Sequence, residues 1–147
     1  MDIKVLNQAT IEEPAWLAIQ HQIESFDWGG AKFIAKKMLG PMTPQERLIV
    51  AVEKKRIIGV CAIVEKDIAD IPETPFISTV YVMPDYRNMH VGTQMVNRAL
   101  EVARGLQFGE VYIISRLSDY YEQIGFELVR MIKDFMGREM KLYRKQI

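Results

Sequence analysis

The stretch from Phe76 to Ser115 constrains this chain more than any other. Phe76 to Met83 is a β-branched and aromatic run closed by Pro84-Asp85, the pattern of a strand ended by a turn. Val91, Met95, Ala99, Val102, Ala103 and Leu106 then recur at helical spacing, with Gln94, Asn97, Arg98, Glu101 and Arg104 on the opposite side. Glu110 to Ser115 is again short and strand-like. Strand, amphipathic helix and strand in this order predict a βαβ unit with parallel strands, a right-handed crossover and a helix buried against the sheet.

The rest of the chain supplies partners for that unit. Ile3 to Leu6 reads as a first strand. Thr10 and Glu13 offer a capping box with Pro14 in the first helical turn. Trp16, Ile19, Ile23 and Phe26 make the apolar face of a helix that Trp28-Gly29-Gly30 interrupts, and Ala31, Ile34 and Met38 carry a second helix up to Gly40-Pro41. Leu48–Val52 and Ile57–Val64 are apolar runs joined by the charged tip Glu53-Lys54-Lys55-Arg56, which suits an antiparallel hairpin. A short helix over about Ser118–Ile124 ends at Gly125, and Phe126–Met131 and Met140–Tyr143 read as two strands about Gly137. These last two strands could offer an edge for pairing with a second copy, a homodimer.

At 147 residues, with no repeat or linker, residues 1–147 are expected to form one domain. Apolar residues are 49% and charged residues 26% of the chain, so a folded core rather than disorder is expected. Nineteen Lys and Arg against nineteen Asp and Glu give no positive field for nucleic acid or an anionic membrane. No apolar run reaches bilayer length and the N-terminus lacks a signal-peptide pattern, so a cytoplasmic location is expected. Cys61, His21 and His90 are too few and scattered to predict a metal site, and Cys61 reads as a buried small hydrophobe rather than a nucleophile.

The turn inside the βαβ unit carries the chemical signal. A helix that starts directly after a strand aims unpaired N–H groups and its positive dipole end at one point, which favours an anion such as phosphate. Arg87 adds a cation there. An ordinary turn with a solvated arginine accounts for the same residues equally well. Neither the dinucleotide-binding glycine fingerprint nor the P-loop motif is present.

Val82-Met83-Pro84 followed by Arg87-Asn88-Met89-His90-Val91-Gly92 resembles the strand end and the [RQ]-x-x-G-x-[GA] signature of the GCN5-related N-acetyltransferase (GNAT) family, matching at Arg87 and Gly92. Tyr120-Tyr121-Glu122-Gln123-Ile124-Gly125-Phe126 resembles the F-Y-E-x-x-G-F segment of the same family. The element order is similar across nearly the whole chain. The resemblance implies a single-domain α/β acyl-CoA N-acyltransferase-like fold, with a mixed, mostly antiparallel sheet, a central parallel βαβ unit and flanking helices. His90 stands where the signature has its first glycine. In the first turn of a helix a side chain there is sterically allowed, and the expected contribution of His90 is its backbone N–H.

By the same resemblance, acetyl-CoA is the donor and an amine the acceptor. The pantetheine arm would lie along Val80, Tyr81 and Val82, and the pyrophosphate on Arg87, Asn88, Met89, His90, Val91, Gly92 and Thr93. Tyr121 is the family-matched acid for the leaving thiolate, since a phenol with a reference pKa of about 10 stays neutral beside a thiol of about 8.5. The same ring could equally be a packed aromatic. Where some members carry a carboxylate base, eleven residues before Arg87, this chain has Phe76. Asp67, Asp70 and Glu73 could orient a substrate ammonium, or be solvated loop carboxylates. Acceptor recognition would draw on Glu24, Asp27, Trp28, Phe33 and the segment Lys133 to Arg138. The expected activity is N-acetyl transfer to a primary amine by direct attack in a ternary complex. A non-catalytic acyl-CoA-binding sensor or an interaction module on the same fold is the alternative.

Overall fold

The computed structural model describes all 147 residues. In chain order they form β1 (Asp2–Leu6), α1 (Glu13–Glu24), α2 (Gly29–Met38), β2 (Arg47–Glu53), β3 (Arg56–Val64), β4 (Phe76–Val82), α3 (Val91–Gly105), β5 (Glu110–Ser115), α4 (Tyr120–Gln123), β6 (Glu127–Lys133) and β7 (Glu139–Gln146). The strands make one seven-stranded sheet in the order β1-β2-β3-β4-β5-β7-β6. Every neighbouring pair is antiparallel except β4 and β5, the two strands that α3 connects.

Each face of the sheet has its own core. On one face Trp16, Ile23, Ile34 and Met38 of α1 and α2 pack on Leu48, Val60, Phe76 and Leu142. On the other, Met95, Val96 and Ala99 of α3 pack on Ile49, Cys61, Ile113 and Tyr143. Covering both faces explains why β3 reads as an almost unbroken apolar run, buried from Ile57 to Val64. No helix is long and apolar enough to cross a membrane.

Several local expectations are corrected by the structure. Thr10 does not cap α1: its hydroxyl donates to the Asn7 carbonyl in a 3₁₀ turn over Gln8–Thr10, and the N-cap of α1 is Glu12, which makes no side-chain cap bond. Asn7 competes successfully because its side chain takes the Ala9 N–H two residues on, a local bond that asparagine makes readily. The buried stripe of α3 is Val91, Met95, Val96, Ala99, Leu100 and Ala103. Val102 lies at its margin and Leu106 is the C-cap, both only partly buried. The helix Tyr120–Gln123 is shorter than Ser118–Ile124, because Asp119 takes a left-handed conformation at its start; Gly125, at φ +94°, ends it as expected.

The hairpin tip between β2 and β3 places both Lys54 and Lys55 at positive φ, the turn whose twist suits a two-residue hairpin. At the other side of the sheet, β7 is not an edge. It inserts between β5 and β6 and pairs with β5 over six residues, leaving β6 outermost. Leu142 and Tyr143 are both fully buried, one on each face, so this strand needs cover on both sides. β6 instead exposes Leu128 and Met131.

Candidate functional site

β4 and β5 share a single paired position, Phe76 with Tyr112, and part beyond it. On its other side β4 stays with β3 to the end, where Met83 N–H donates to the Ile58 carbonyl at 2.8 Å. Val80, Tyr81 and Val82 therefore lie where β4 has a partner on one edge and a gap on the other. The β3–β4 register shifts between Val60 and Ala62, and Thr79 within this bulge has φ +58°. The bulge breaks strand alternation: Phe76 and Tyr81 pack on the α1–α2 face, and Ile77, Val80 and Val82 on the α3 face.

After β4, a 3₁₀ turn over Pro84–Tyr86 leads to Arg87 and the start of α3. Arg87 is not a freely solvated side chain. Its Nε donates to the Val82 carbonyl at 2.9 Å and its guanidinium lies 5.6 Å from the centre of the Tyr81 ring. The expectation that His90 sits in the first helical turn is corrected: it is the N-cap, in the left-handed region at φ 61°, ψ 18°, and Asn88 is also left-handed. Glycine reaches that conformation without the Cβ clash, so the signature's glycine has a backbone reason here and His90 bears a strain of about 1–2 kcal/mol. No side chain caps α3, and its first backbone bond runs from Gln94 N–H to the His90 carbonyl. The amides of Val91, Gly92 and Thr93 are thus left for a ligand or water.

A Cβ on Gly92 would meet the Tyr120 hydroxyl at 3.6 Å, Val80 Cγ1 at 3.6 Å and Val82 Cγ2 at 3.8 Å. The protein itself leaves ordinary room for a side chain at this position. Gly92 faces the space between β4 and the Tyr120 ring, so a side chain there would fill the cleft rather than clash with its walls.

Tyr121 is 5% exposed and packs against Tyr120, Phe126 and Tyr143, with ring centres 4.9, 5.8 and 5.6 Å away. Burial, with smaller contributions from Tyr120, Cys61 and Tyr143, raises its phenol pKa, so it stays protonated across the physiological range. Tyr120, which the sequence did not single out, is the tyrosine whose hydroxyl contacts Thr93 Oγ1, at 3.2 Å. Cys61 is fully buried under α3 and its thiol is pushed up to about 12, the state of a packed, unreactive cysteine.

On the α1–α2 face, the Trp28 indole stacks on Tyr81 at 5.6 Å and Phe26 meets the same ring at 4.9 Å. Trp28 stays 44% exposed, and exposed Asp27 beside it lines a cavity of about 320 Å³ with Gln22, Phe26, Arg56 and Tyr81. Glu73 is held in an ion pair with Arg130 of β6. Asp134 and Arg138 pair within the β6–β7 turn, which closes on itself.

Asp67 is not a solvated loop carboxylate. It is 6% exposed and accepts from Ser78 Oγ at 2.9 Å. Ser78 and Thr79, which pattern reading passed over as polar interruptions of a strand, turn out to be hydrogen-bonded to each other. Two successive hydroxyls in an apolar strand were the available signal, since regular alternation puts neighbours on opposite faces and the two meet only where the pleat is broken.

The family model for the acetyltransferase (GNAT) family matches residues 12–126. The chain belongs to the GNAT acetyltransferase family. Solved structures give the same fold for this GNAT protein. An aminoglycoside 6'-N-acetyltransferase from Enterococcus faecium superposes with a TM-score of 0.72 at 13% identity, over 99% of this chain and 97% of that one. An acyl-CoA N-acyltransferase from Pseudomonas aeruginosa gives 0.71 at 17% identity, over 99% of both chains. A GNAT family acetyltransferase from Elizabethkingia anophelis, with acetyl-CoA bound, gives 0.67 at 16% identity, over 99% and 98%. No curated protein sequence matches this chain.

Proposed function

We propose that this GNAT protein transfers the acetyl group of acetyl-CoA to a primary amine by direct attack in a ternary complex. The observation that carries this reading is the gap between β4 and β5, which opens beside Val80–Val82 and ends at the uncapped N-terminus of α3. The free edge of β4 supplies backbone donors and acceptors for the amide groups of a pantetheine arm. The amides of His90 to Thr93, with the helix dipole behind them, suit the pyrophosphate, and Gly92 leaves room for it. Arg87, held by the Val82 carbonyl and the Tyr81 ring, presents its remaining N–H donors at the same end.

Acetyl transfer needs a donor for the developing oxyanion and a donor for the departing sulfur. A backbone N–H in the Tyr81–Val82 region fits the first role. Tyr121 fits the second. With its pKa raised, its phenol favours a hydrogen bond to the thiolate over loss of the proton to it. The acceptor would approach from the α1–α2 face, past Trp28 and Asp27, so donor and nucleophile meet at the bulge from opposite sides of the sheet. A covalent acetyl-cysteine is disfavoured by the burial of Cys61.

The test is calorimetric titration with acetyl-CoA, followed by thiol release with kanamycin, spermidine and a lysine-containing peptide as acceptors. Arg87→Ala should weaken binding, and Tyr121→Phe should cut turnover about tenfold or more with binding retained. Binding without release for any amine would favour the sensor reading. Absence of binding by folded protein would sink both.

A further inference from the structure

The β4 bulge turns two consecutive hydroxyls toward the α1–α2 face, and behind them lies a buried carboxylate. Ser78 Oγ donates to Asp67 Oδ1 at 2.9 Å, Ser78 Oγ and Thr79 Oγ1 are 3.1 Å apart, and Thr79 Oγ1 donates to the Gly30 carbonyl at 3.0 Å. Asp67 and Ser78 are buried, whereas Thr79 is partly exposed beside Gly30, over which the Trp28 indole lies. The series runs without a gap from the acceptor side of the sheet to a carboxylate that no acceptor could touch directly.

We propose that Asp67 takes up a proton from the acceptor ammonium through Ser78 and Thr79. The inference rests on the amine-acetylation reading above. The ammonium gives a proton to a lone pair of Thr79 Oγ1. The Thr79 hydroxyl proton, rotated from the Gly30 carbonyl, passes to Ser78 Oγ, and the Ser78 proton passes to Asp67 Oδ1. Three bonds to hydrogen break and three form, leaving a neutral amine, two intact hydroxyls and a carboxylic acid. The amine nitrogen then attacks the thioester carbon. The proton it sheds as the amide forms leaves with the thiolate as free thiol, and Asp67 later returns its own to solvent.

The surroundings of Asp67 suit a group that gains and loses a proton. Burial pushes its pKa up to about 6, against the smaller opposing effects of the Ser78 bond, the Ile68 backbone and the charge of Lys37. Lys37 of α2 is the cation that faces it, and that ammonium already pairs at 3.2 Å with Glu46, itself buried and bonded to the N–H groups of Thr43 and Glu65. From the β6–β7 turn, which reaches the neighbouring Ile68 through Phe135 N–H, the charged pair Asp134–Arg138 is closed on itself. No cation is therefore committed to Asp67, and the carboxylate can be neutralised by a proton.

The experiment measures kcat/KM for thiol release against pH, with acetyl-CoA and whichever of kanamycin, spermidine or the lysine-containing peptide is turned over. The full-length wild type is compared with Asp67→Asn, Ser78→Ala, Thr79→Val and Thr79→Ser. The wild type should gain rate as pH rises through about 6. Asp67→Asn, Ser78→Ala and Thr79→Val should each lose that limb and about 10²-fold in rate at pH 7 while binding acetyl-CoA normally. Thr79→Ser, which restores the hydroxyl, should stay within a few-fold of wild type and keep the limb. A limb near pH 6 that survives in Asp67→Asn, or loss in Thr79→Ser equal to that in Thr79→Val, overturns the relay and leaves acetyl transfer standing. Failure to bind acetyl-CoA, or binding with no amine acetylated, overturns the parent reading and the relay with it.

Discussion

Replacing Asp67 by Asn should stabilise the protein, and the gain should appear only as pH rises. The carboxyl pKa is about 6 in the fold against 3.8 for an unperturbed aspartate, so the native state holds this proton more tightly than the unfolded chain does. Its contribution to stability is full below the unfolded value and is lost as pH climbs through about 6. At about 1.4 kcal/mol per unit, the roughly two-unit difference costs about 3 kcal/mol at pH 8. Asparagine is nearly isosteric, carries no charge and can still accept from Ser78 Oγ, so it escapes that cost without opening a cavity. At about 2–4 °C per kcal/mol for a chain of this size, Asp67→Asn should melt about 6–12 °C above wild type at pH 8. The two should converge near pH 4. Thermal unfolding of both proteins across that range reads the effect. A difference independent of pH, or a variant less stable at pH 8, would refute the view that an ionised carboxylate is confined at this position. Joined to the proton relay, the prediction describes a trade in which the more stable variant is the slower one.

Three further outcomes follow from the geometry. His90→Gly removes the left-handed strain but adds freedom to the unfolded chain, so a net rise of about 1–4 °C in melting temperature is expected, and a fall would contradict the strained cap. Gly92→Val should abolish most acetyl-CoA binding by calorimetry with little change in melting temperature, because the added atoms enter the cleft and not the core; unaltered binding would remove Gly92 from the cofactor site. Gly30→Ala brings a Cβ to 2.9 Å from the Trp28 ring, so the indole should leave Tyr81 and its fluorescence shift to the red; an unchanged spectrum would show that the stack absorbs the methyl.

Much of this architecture is carried by local sequence pattern. The βαβ unit, the hairpin with its charged tip and the two N-terminal helices all follow from periodicity, since a side chain's face is fixed by the period of its own element. The signature residues Arg87 and Gly92, with the Tyr121 segment, made the family legible because those spacings lie within single turns of chain. What the tertiary structure decided depends on partners distant in sequence. β7 lies between β5 and β6 because a strand with Leu142 buried on one face and Tyr143 on the other needs cover on both. His90 takes a left-handed cap because the turn must bring the start of α3 back over β4, a geometry that residue type alone does not reveal. Asp67 is buried and bonded to Ser78, which the regular β3–β4 register places on the same face as Phe76, and the bulge that follows brings Thr79 beside it; no pattern within the loop after β3 marks that carboxylate out from Asp70 or Glu73. Periodicity determines which way a side chain points along its own strand or helix. Burial, strain and proton affinity are set by what the rest of the fold packs against it.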